Sequence, residues 1–439
     1  MEKETKKIGT ITLAISLIGI GLIFLLGNFF DLSPYKDPGL LWPAILIIFG
    51  MELIITKAVY SKKGNTVKLS VDVLSLILII IIILVSVAVN IATNIRLPFI
   101  DFDSGGIRFG TNIENFRYKT NTTFNSGPID IDDIADGKII INNYLGNINI
   151  INSNNSSLLV EANIEVHSND RNLAKDYLEK AIEINTQENI EISTQLPDNR
   201  NIISEPVVDY TIHVPQGCYT VITNGIGNIN AEGLSNTLQI NNNDGKIVVG
   251  SINGNIDIKN SFGAAEASNI QGTISINNND GSIDVGEIYG DAYLETSFGS
   301  ITAENVSGCL TAKSSNGSIK ATNIKGETDL KTNFGSITME NLSKKISAST
   351  SDGSIKLDNT SDLEDDVSLS TGFGSIQISC PPINNATIKA STGFGSIESE
   401  GLLEIDKKGD SYTGKAVLGN GSKRINLTTG DGSITINKK

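Results

Sequence analysis

The side chains of this sequence that could perform catalysis or bind a metal are few and widely separated. The chain of 439 residues has two histidines, His167 and His213, and three cysteines, Cys218, Cys309 and Cys380. Imidazole and thiol groups form zinc sites when they recur at short spacings such as CxxC, and this sequence has no such spacing. The sequence therefore predicts no metal site and no cofactor, and it favours unpaired thiols.

One dense group of acids is present, at Asp362, Glu364, Asp365 and Asp366. Lyases and hydrolases built on β-helices need two or three carboxylates on one face, or carboxylates beside a basic residue. The interval 360–370 supplies acids without a basic companion, which is typical of a solvated loop. We therefore predict that the chain is not an enzyme, and a carbohydrate-active enzyme is the third-ranked hypothesis.

Calcium binding is a further possibility, because Asn-Asp-Gly turns recur at 243–245 and 279–281. Calcium-binding β-rolls repeat a nine-residue phrase of the form Gly-Gly-x-Gly-x-Asp. This sequence lacks the double glycine and has Phe in place of the acid in alternate repeats. The pattern therefore does not predict a calcium site.

A series of phenylalanines is the most distinctive candidate for a binding surface. Its members each stand directly before a glycine: Phe262, Phe298, Phe334, Phe373 and Phe394. Rings at turns would form a spaced aromatic row for a glycan or a peptide. Alternatively, the rings fold back over the repeats as part of the core or its edge. The sequence leaves both alternatives open.

These residues belong to a repeat that organises the chain from Gly227 onward. A phrase of Gly, usually Ser or Asn, and then Ile returns with a spacing of 18 residues from Gly227 to Gly353. With the glycine as position 1, positions 3, 5, 8, 12 and 14 are apolar, and position 16 is Asn, Thr or Ser. Alternation with period two predicts two short strands in each unit, stacked as a β-solenoid.

Positions 16 and 18 have further patterns. The small polar residues at position 16 would stack and form side-chain hydrogen-bond ladders. Position 18 alternates between Asp or Asn and Phe, until Phe373 and Phe394 follow each other in successive units. The alternation doubles the sequence period to 36 residues. The sequence therefore does not decide whether one coil contains 18 or 36 residues.

The first hundred residues have a different composition. Three apolar runs, 8–30, 40–60 and 71–93, are each long enough to cross about 30 Å of hydrocarbon as a helix. This part carries nine Lys and Arg against six Asp and Glu, or +3, which leaves −18 for the remainder of a total of −15. Basic residues precede the first run and flank the loop before the third. The sequence predicts a multi-pass protein of the cell membrane with a cytoplasmic N-terminus and an extracellular repeat domain.

The region between these parts predicts less regular structure. Residues 101–135 are polar and are interpreted as a linker, and residues 136–226 as an irregular β region. Asp170 is a plausible N-cap for one short helix, because apolar residues with helical spacing follow it. The predicted organisation is a membrane domain at 1–100, the linker, the irregular region, and the 18-residue β repeats at 227–439.

Two resemblances to known families accompany these patterns. The run from Leu41 to Gly50, which reads LWPAILIIFG, resembles the transmembrane region of LiaF-like cell-envelope stress proteins over about residues 5–95. The second resemblance is carried by a recurring four-residue phrase, which has Asp, Asn or Phe first, Gly second, Ser or Asn third and Ile fourth. Over about residues 136–439 this phrase resembles the bacterial "putative adhesin" family of exported repeat domains. That family implies a surface location and no particular biochemistry.

The preferred function is therefore non-catalytic cell-envelope sensing or scaffolding by a membrane-anchored, exported β-solenoid. The second hypothesis is a surface adhesin or glycan-binding module. Expected partners are the membrane and either envelope signalling proteins or cell-wall glycans. Nucleic acid is excluded, because a domain of charge −18 repels polyanions.

Overall fold

The computed structural model describes residues 116–131, 137–153, 155–200 and 202–439, together with the short segments 5–8, 52, 68–71, 100–103 and 106–109. The chain divides into two compact units, Met1–Asn112 and Ile113–Lys439. The second unit contains the repeats and their flanking strands.

The predicted membrane helices are not found in the described part of the first unit. There, no helix is long and apolar enough to cross a bilayer. Ile8 and Val71, which begin two of the predicted spans, lie in short strands that pair with each other in parallel. This finding corrects the prediction of three transmembrane helices and the multi-pass localisation derived from it, since apolar length alone does not specify a spanning helix. Apart from Glu52, which is helical, the rest of the intervals 8–30, 40–60 and 71–93 lies outside the described residues.

The strands before the regular repeats are β1 Thr5–Ile8, β2 Lys68–Val71, β3 Ile100–Asp103, β4 Gly106–Phe109, β5 Tyr118–Asp130, β6 Lys138–Leu145, β7 Ile148–Ser153, β8 Ser157–Ser168, β9 Ile182–Asn185, β10 Ile190–Thr194 and β11 Val207–Pro215. The strands of the first repeats are β12 Tyr219–Ile226, β13 Ile229–Glu232, β14 Leu238–Asp244, β15 Ile247–Ile252, β16 Ile256–Phe262, β17 Ala265–Ile270, β18 Ile274–Asp280, β19 Ile283–Ile288, β20 Ala292–Phe298, β21 Ile301–Val306, β22 Leu310–Asn316 and β23 Ile319–Ile324. The remaining strands are β24 Thr328–Phe334, β25 Ile337–Leu342, β26 Ile346–Asp352, β27 Ile355–Asp358, β28 Val367–Phe373, β29 Ile376–Cys380, β30 Ala386–Phe394, β31 Ile397–Glu398, β32 Glu404–Lys408, β33 Ser411–Leu418, β34 Lys423–Asp431 and β35 Ile434–Lys438.

Each 18-residue unit forms one complete coil. One of its strands joins a 16-stranded sheet and the other joins a 15-stranded sheet. Each strand pairs in parallel with the strand one unit further on, so that Ile301 lies opposite Ile319 and Ile319 lies opposite Ile337. The residue type at position 18 therefore alternates between successive coils, and each of these coils still contains 18 residues. The all-β solenoid predicted for the repeats is confirmed.

The core lies between the two sheets. Side chains at positions 3, 5 and 8 of one sheet and positions 12, 14 and 16 of the other are buried, while their neighbours point outward. Ile301, Ile319 and Ile337 are at most 1% exposed, as the predicted apolar column requires. Because each coil is too thin to bury this surface by itself, stacking supplies the core.

Glycines at position 1 allow the coils to approach at their first turn. Gly335 has φ +153°, and a Cβ added there would lie 2.3 Å from the carbonyl oxygen of Gly317 in the preceding coil. The same close approach recurs at the glycine of each neighbouring coil. Any larger side chain would push consecutive coils apart, which explains the regular glycine in the sequence.

The polar column at position 16 stabilises these turns from inside. Asn224 donates to Asn242 at 3.1 Å, and Asn242 donates to Asn260 at 3.2 Å, which is the predicted ladder. Hydroxyl residues behave differently, as Thr332 donates to the carbonyl oxygen of Gly317 at 2.9 Å. Equivalent residues of paired strands are about 4.8 Å apart, which an amide can bridge and a Thr hydroxyl cannot.

The coil order in space differs from the order in sequence at both ends. The coil of β34 and β35 lies between the coil of β28 and β29 and the coil of β30 and β31. At the other end, the coil of β6 and β7 lies between the coil of β10 and β11 and the coil of β12 and β13. The last coil of the chain and the coil of β6 and β7 are therefore each paired with another coil on both sides.

The ends of the stack are covered by irregular elements. Helix α1, Arg171–Leu178, begins after Asp170, whose carboxylate accepts hydrogen bonds from the backbone of Asn172 and Leu173, as predicted. Strand β5, Tyr118–Asp130, covers one edge within the interval interpreted as a linker, because it pairs with β8. At the far end β32 is exposed along its whole length, and its charged side chains protect the edge from further pairing.

Candidate functional site

The histidines and cysteines do not come together in the structure. His167 lies 3.2 Å from Glu165, and His213 lies 3.9 Å from Glu161 on a different part of the same sheet. The three thiols are unpaired, and only Cys309 is exposed. Burial raises the pKa of Cys380 to about 11, which leaves its thiol protonated and unreactive at neutral pH. Over the described residues, no group of three or more His, Cys, Asp or Glu could hold a metal ion.

The acidic loop has a structural role. Asp366 accepts hydrogen bonds from the backbone and guanidinium nitrogens of Arg424 at 2.6 to 2.9 Å, and Glu364 lies 2.8 Å from Lys344. Leu363, which directly precedes Glu364, is 4% exposed and packs into the core. These contacts attach the loop to neighbouring coils, and they engage two of its four carboxylates.

The phenylalanine series forms one continuous column along an edge of the stack. The parallel register places position 18 of every coil next to position 18 of the following coil. In spatial order the column reads Asp244, Phe262, Asp280, Phe298, Asn316, Phe334, Asp352, Phe373, Asp431 and Phe394. We call these ten residues the Phe/Asp row.

The out-of-order coil completes the alternation in this row. Phe373 and Phe394 occupy successive units of the sequence, yet Asp431 lies between them in the sheet and pairs with both. No two rings of the row are therefore adjacent. Sequence spacing could not reveal this, since Asp431 belongs to the last coil of the chain.

All five rings project into solvent. Their exposed fractions are 48% for Phe262 and between 56% and 64% for the other four. The residues on either side of each ring are small: Ser, Asn or Gly precedes it, and the following turn is Gly followed by Ser or Ala. The structure thus selects the exposed row over the buried alternative.

The carboxylates of the row are also exposed. Asp244, Asp280, Asp352 and Asp431 all lie on the surface. Within the part of the chain that the structure describes, no side chain donates a hydrogen bond to these four carboxylates or forms a salt bridge with them. The row therefore alternates apolar rings with polar residues, four of which are unpaired carboxylates and one of which is the neutral Asn316.

A second surface, which sequence reasoning missed, lies at the other turn of the coil. Position 7 has φ between +53° and +58° in successive coils and is usually Asn, which tolerates this conformation. Asn341 donates to Asn323 at 3.0 Å, and Asn323 donates to Asn305 at 2.9 Å. The recurring Asn before the position-8 residue was the available sequence signal. This amide ladder lies in a groove of about 800 Å³ that also includes Tyr289 and Glu364.

The comparisons with known proteins match parts of this chain to a family model and to solved structures. Residues 288–437 match the family described as Toastrack DUF4097. A solved structure of a "putative cell adhesion protein" from Clostridium sporogenes is 11% identical, with a TM-score of 0.15, and the match covers 73% of this chain and 100% of that one. A solved "putative adhesin" from Bacteroides fragilis is 13% identical, with a TM-score of 0.23, and the match covers 74% of this chain and 98% of that one. No curated protein matches the chain.

The family match supports the adhesin-like repeat domain predicted from the sequence. The two solved structures have TM-scores too low to support any argument about this chain. The resemblance of the first hundred residues to LiaF-like proteins is not shown by these comparisons.

Proposed function

We propose that the repeat domain is a non-catalytic, adhesin-like binding scaffold that recognises an extended ligand along the Phe/Asp row. One observation carries this proposal: five phenylalanine rings, 48% to 64% exposed, are aligned on one edge of the stack. Exposed large apolar side chains that are aligned on one face mark interaction sites more often than scattered ones do.

The stacked fold suits this role. Strand pairing on both sides holds each row residue in place, so that binding would order few additional backbone groups. Equivalent residues recur at a fixed spacing, and the affinity of a long ligand would sum over several coils. Solenoids commonly act as extended binding surfaces for this reason.

A non-catalytic role agrees with the placement of the reactive groups. Asp366 and Glu364 bind basic side chains of neighbouring coils, and the histidines lie far along the stack from the acidic loop. Envelope sensing rests on the resemblance of the first hundred residues, and it stays a prediction. A carbohydrate-active enzyme has no support in the described acids.

The proposal can be tested by screening the full-length protein for binding to glycan and peptide arrays. The test variant replaces all five row phenylalanines with Ser. We expect the native protein to bind at least one class of ligand, and we expect the variant to lose that binding while retaining its circular dichroism spectrum and melting temperature.

A matched control replaces five exposed apolar residues outside the row with Ser: Leu173, Tyr289, Tyr293, Ile405 and Val417. This control removes a similar exposed apolar area, so that non-specific hydrophobic binding would decrease in both variants. Retained binding in the control supports the row. Equal binding by the native protein and the row variant would refute the proposal.

A further inference from the structure

The geometry of the Phe/Asp row points to a basic polypeptide segment in the polyproline II conformation, with Lys or Arg at every third residue, as its ligand. This inference rests on the proposed function and specifies the ligand class.

The spacing of the rings follows from the strand pairing. Neighbouring strands lie about 4.8 Å apart, and consecutive rings are two strands apart, so that they recur every ~9.6 Å. From Phe262 to Phe394 the row crosses eight strand intervals, or about 38 Å.

A polyproline II helix has the matching period. It has three residues per turn and a rise of about 3.1 Å per residue, so that every third side chain points the same way at intervals of ~9.3 Å. Five such side chains span about 37 Å, which nearly equals the length of the row from Phe262 to Phe394. A flexible Lys or Arg stem can absorb the remaining difference.

Other regular conformations fit less well. On a β-strand, the side chains of one face are separated by about 6.6 Å for residues two apart and by ~13 Å for residues four apart. A residue three positions further on points to the opposite face. On an α-helix, side chains seven residues apart lie on the same face at a distance of about 10.5 Å. Over four intervals, these side chains would run ~4 Å beyond the rings. The polyproline II segment is therefore the regular backbone that keeps register with all five rings.

The acids in the row specify a positive charge. Asp280 stands between Phe262 and Phe298, and Asp352 stands between Phe334 and Phe373. A Lys or Arg group above a ring gains a cation–π interaction, and the adjacent carboxylate adds an ionic contact. The chain as a whole carries −15, which further attracts a basic ligand and disfavours an acidic one.

The inference is tested by fluorescence anisotropy with the full-length protein and a labelled peptide of five Pro-Pro-Lys repeats at about 0.15 M salt. A control peptide has the same composition, with ten prolines followed by five lysines. We expect the periodic peptide to bind at least ten times more tightly than the block peptide. Equal affinity would show that only net charge is recognised, and it would overturn the inference.

Two row variants separate the contributions of rings and acids. Replacing the five phenylalanines with Ser should weaken binding of the periodic peptide on the order of 100-fold, since five cation–π contacts would be lost together. Replacing Asp244, Asp280, Asp352 and Asp431 with Asn should weaken it about tenfold. A charge-matched control neutralises four acids on the outer sheet faces, Asp257, Glu295, Glu340 and Glu398, and should change the affinity less than about threefold.

The outcomes also distinguish this inference from the proposed function. Binding of a glycan that depends on the rings but not on the four acids, without binding of the periodic peptide, would overturn the polypeptide ligand and keep the binding scaffold. If neither an array ligand nor the periodic peptide binds in a way that depends on the Phe/Asp row, the proposed function and the polypeptide ligand are both overturned. An equal loss in the acid variant and its charge-matched control would overturn the specific role of the row acids.

Discussion

Single residues determine how closely the coils stack. The glycine at position 1 leaves room for the carbonyl oxygen of the preceding coil, and the isoleucine at position 3 fills the space between the sheets. Gly335 and Ile337 illustrate the two roles within one turn. Because each contact recurs in the next coil, one substitution disturbs two interfaces.

Replacing Gly335 with Ala should strongly destabilise the stack. The new Cβ would lie 2.3 Å from the oxygen of Gly317, at a φ of +153° that Ala rarely adopts. We expect a loss on the order of 3 kcal/mol or more in the free energy of unfolding, measured by urea denaturation. Gly286 is the control, since a Cβ there meets nothing within 4 Å. A Gly286→Ala variant as unstable as Gly335→Ala would contradict the packing explanation.

Replacing Ile319 with Ala should also destabilise the domain, by about 2–5 kcal/mol through lost burial and the resulting cavity. Ile319 is 1% exposed and lies between Ile301 and Ile337. The neighbouring Lys320 points outward, and Lys320→Ala should cost under ~0.5 kcal/mol. Comparable effects in the two variants, measured by urea denaturation, would show that the strand register is wrong.

At the scale of elements, the acidic loop between β27 and β28 attaches to a strand of the last coil. Asp366 binds Arg424 in β34, and Lys423 donates to the carbonyl oxygen of Leu363 at 2.6 Å. The backbone N–H and the guanidinium of Arg424 lower the pKa of Asp366. The loop therefore helps to hold the out-of-order strand beside β28.

This contact predicts a pH dependence. Because the pKa of Asp366 is lower in the folded state than its unfolded value of about 3.9, the stabilisation is present above that value. It is lost as the pH falls through the folded value. We expect Asp366→Asn to lower the urea midpoint at neutral pH and to differ little from the native protein in strong acid. Asp362→Asn, in the same loop but exposed, is the control, and a similar pH-dependent difference for it would contradict the assignment.

At the scale of the whole repeat domain, the C-terminal coil lies between two other coils and not at the end of the stack. Strand β34 is paired on one side with β28 and on the other with β30, so that both of its edges form backbone hydrogen bonds. The edge of the sheet is instead β32, from the hairpin that precedes β34 in sequence. Stability along this stack should therefore follow spatial order.

Amide hydrogen exchange should reveal this arrangement. We expect residues 425–429 of β34 to exchange as slowly as β28, although chain ends usually fray. Residues 404–408 of β32 should exchange much faster, because that strand is exposed and paired on one side. Rapid exchange throughout β34 would refute the inserted coil.

The sequence by itself determined the repeat: its 18-residue period, its two strands per unit, the inward positions such as Ile301 and Ala303, and the N-cap at Asp170. These features follow from local periodicity and turn chemistry, which neighbouring residues encode. Apolar length was a poorer guide, since Ile8 and Val71 lie in paired strands where helical spans were predicted.

Only the tertiary structure decided the coil size, the exposure of the rings and the order of the coils. Period two cannot distinguish a buried ring from one at a turn, and alternation at position 18 looks like a longer repeat. The place of Asp431 between Phe373 and Phe394 depends on pairing between strands far apart in sequence. Such pairing joins residues up to 58 positions apart, which local periodicity does not encode.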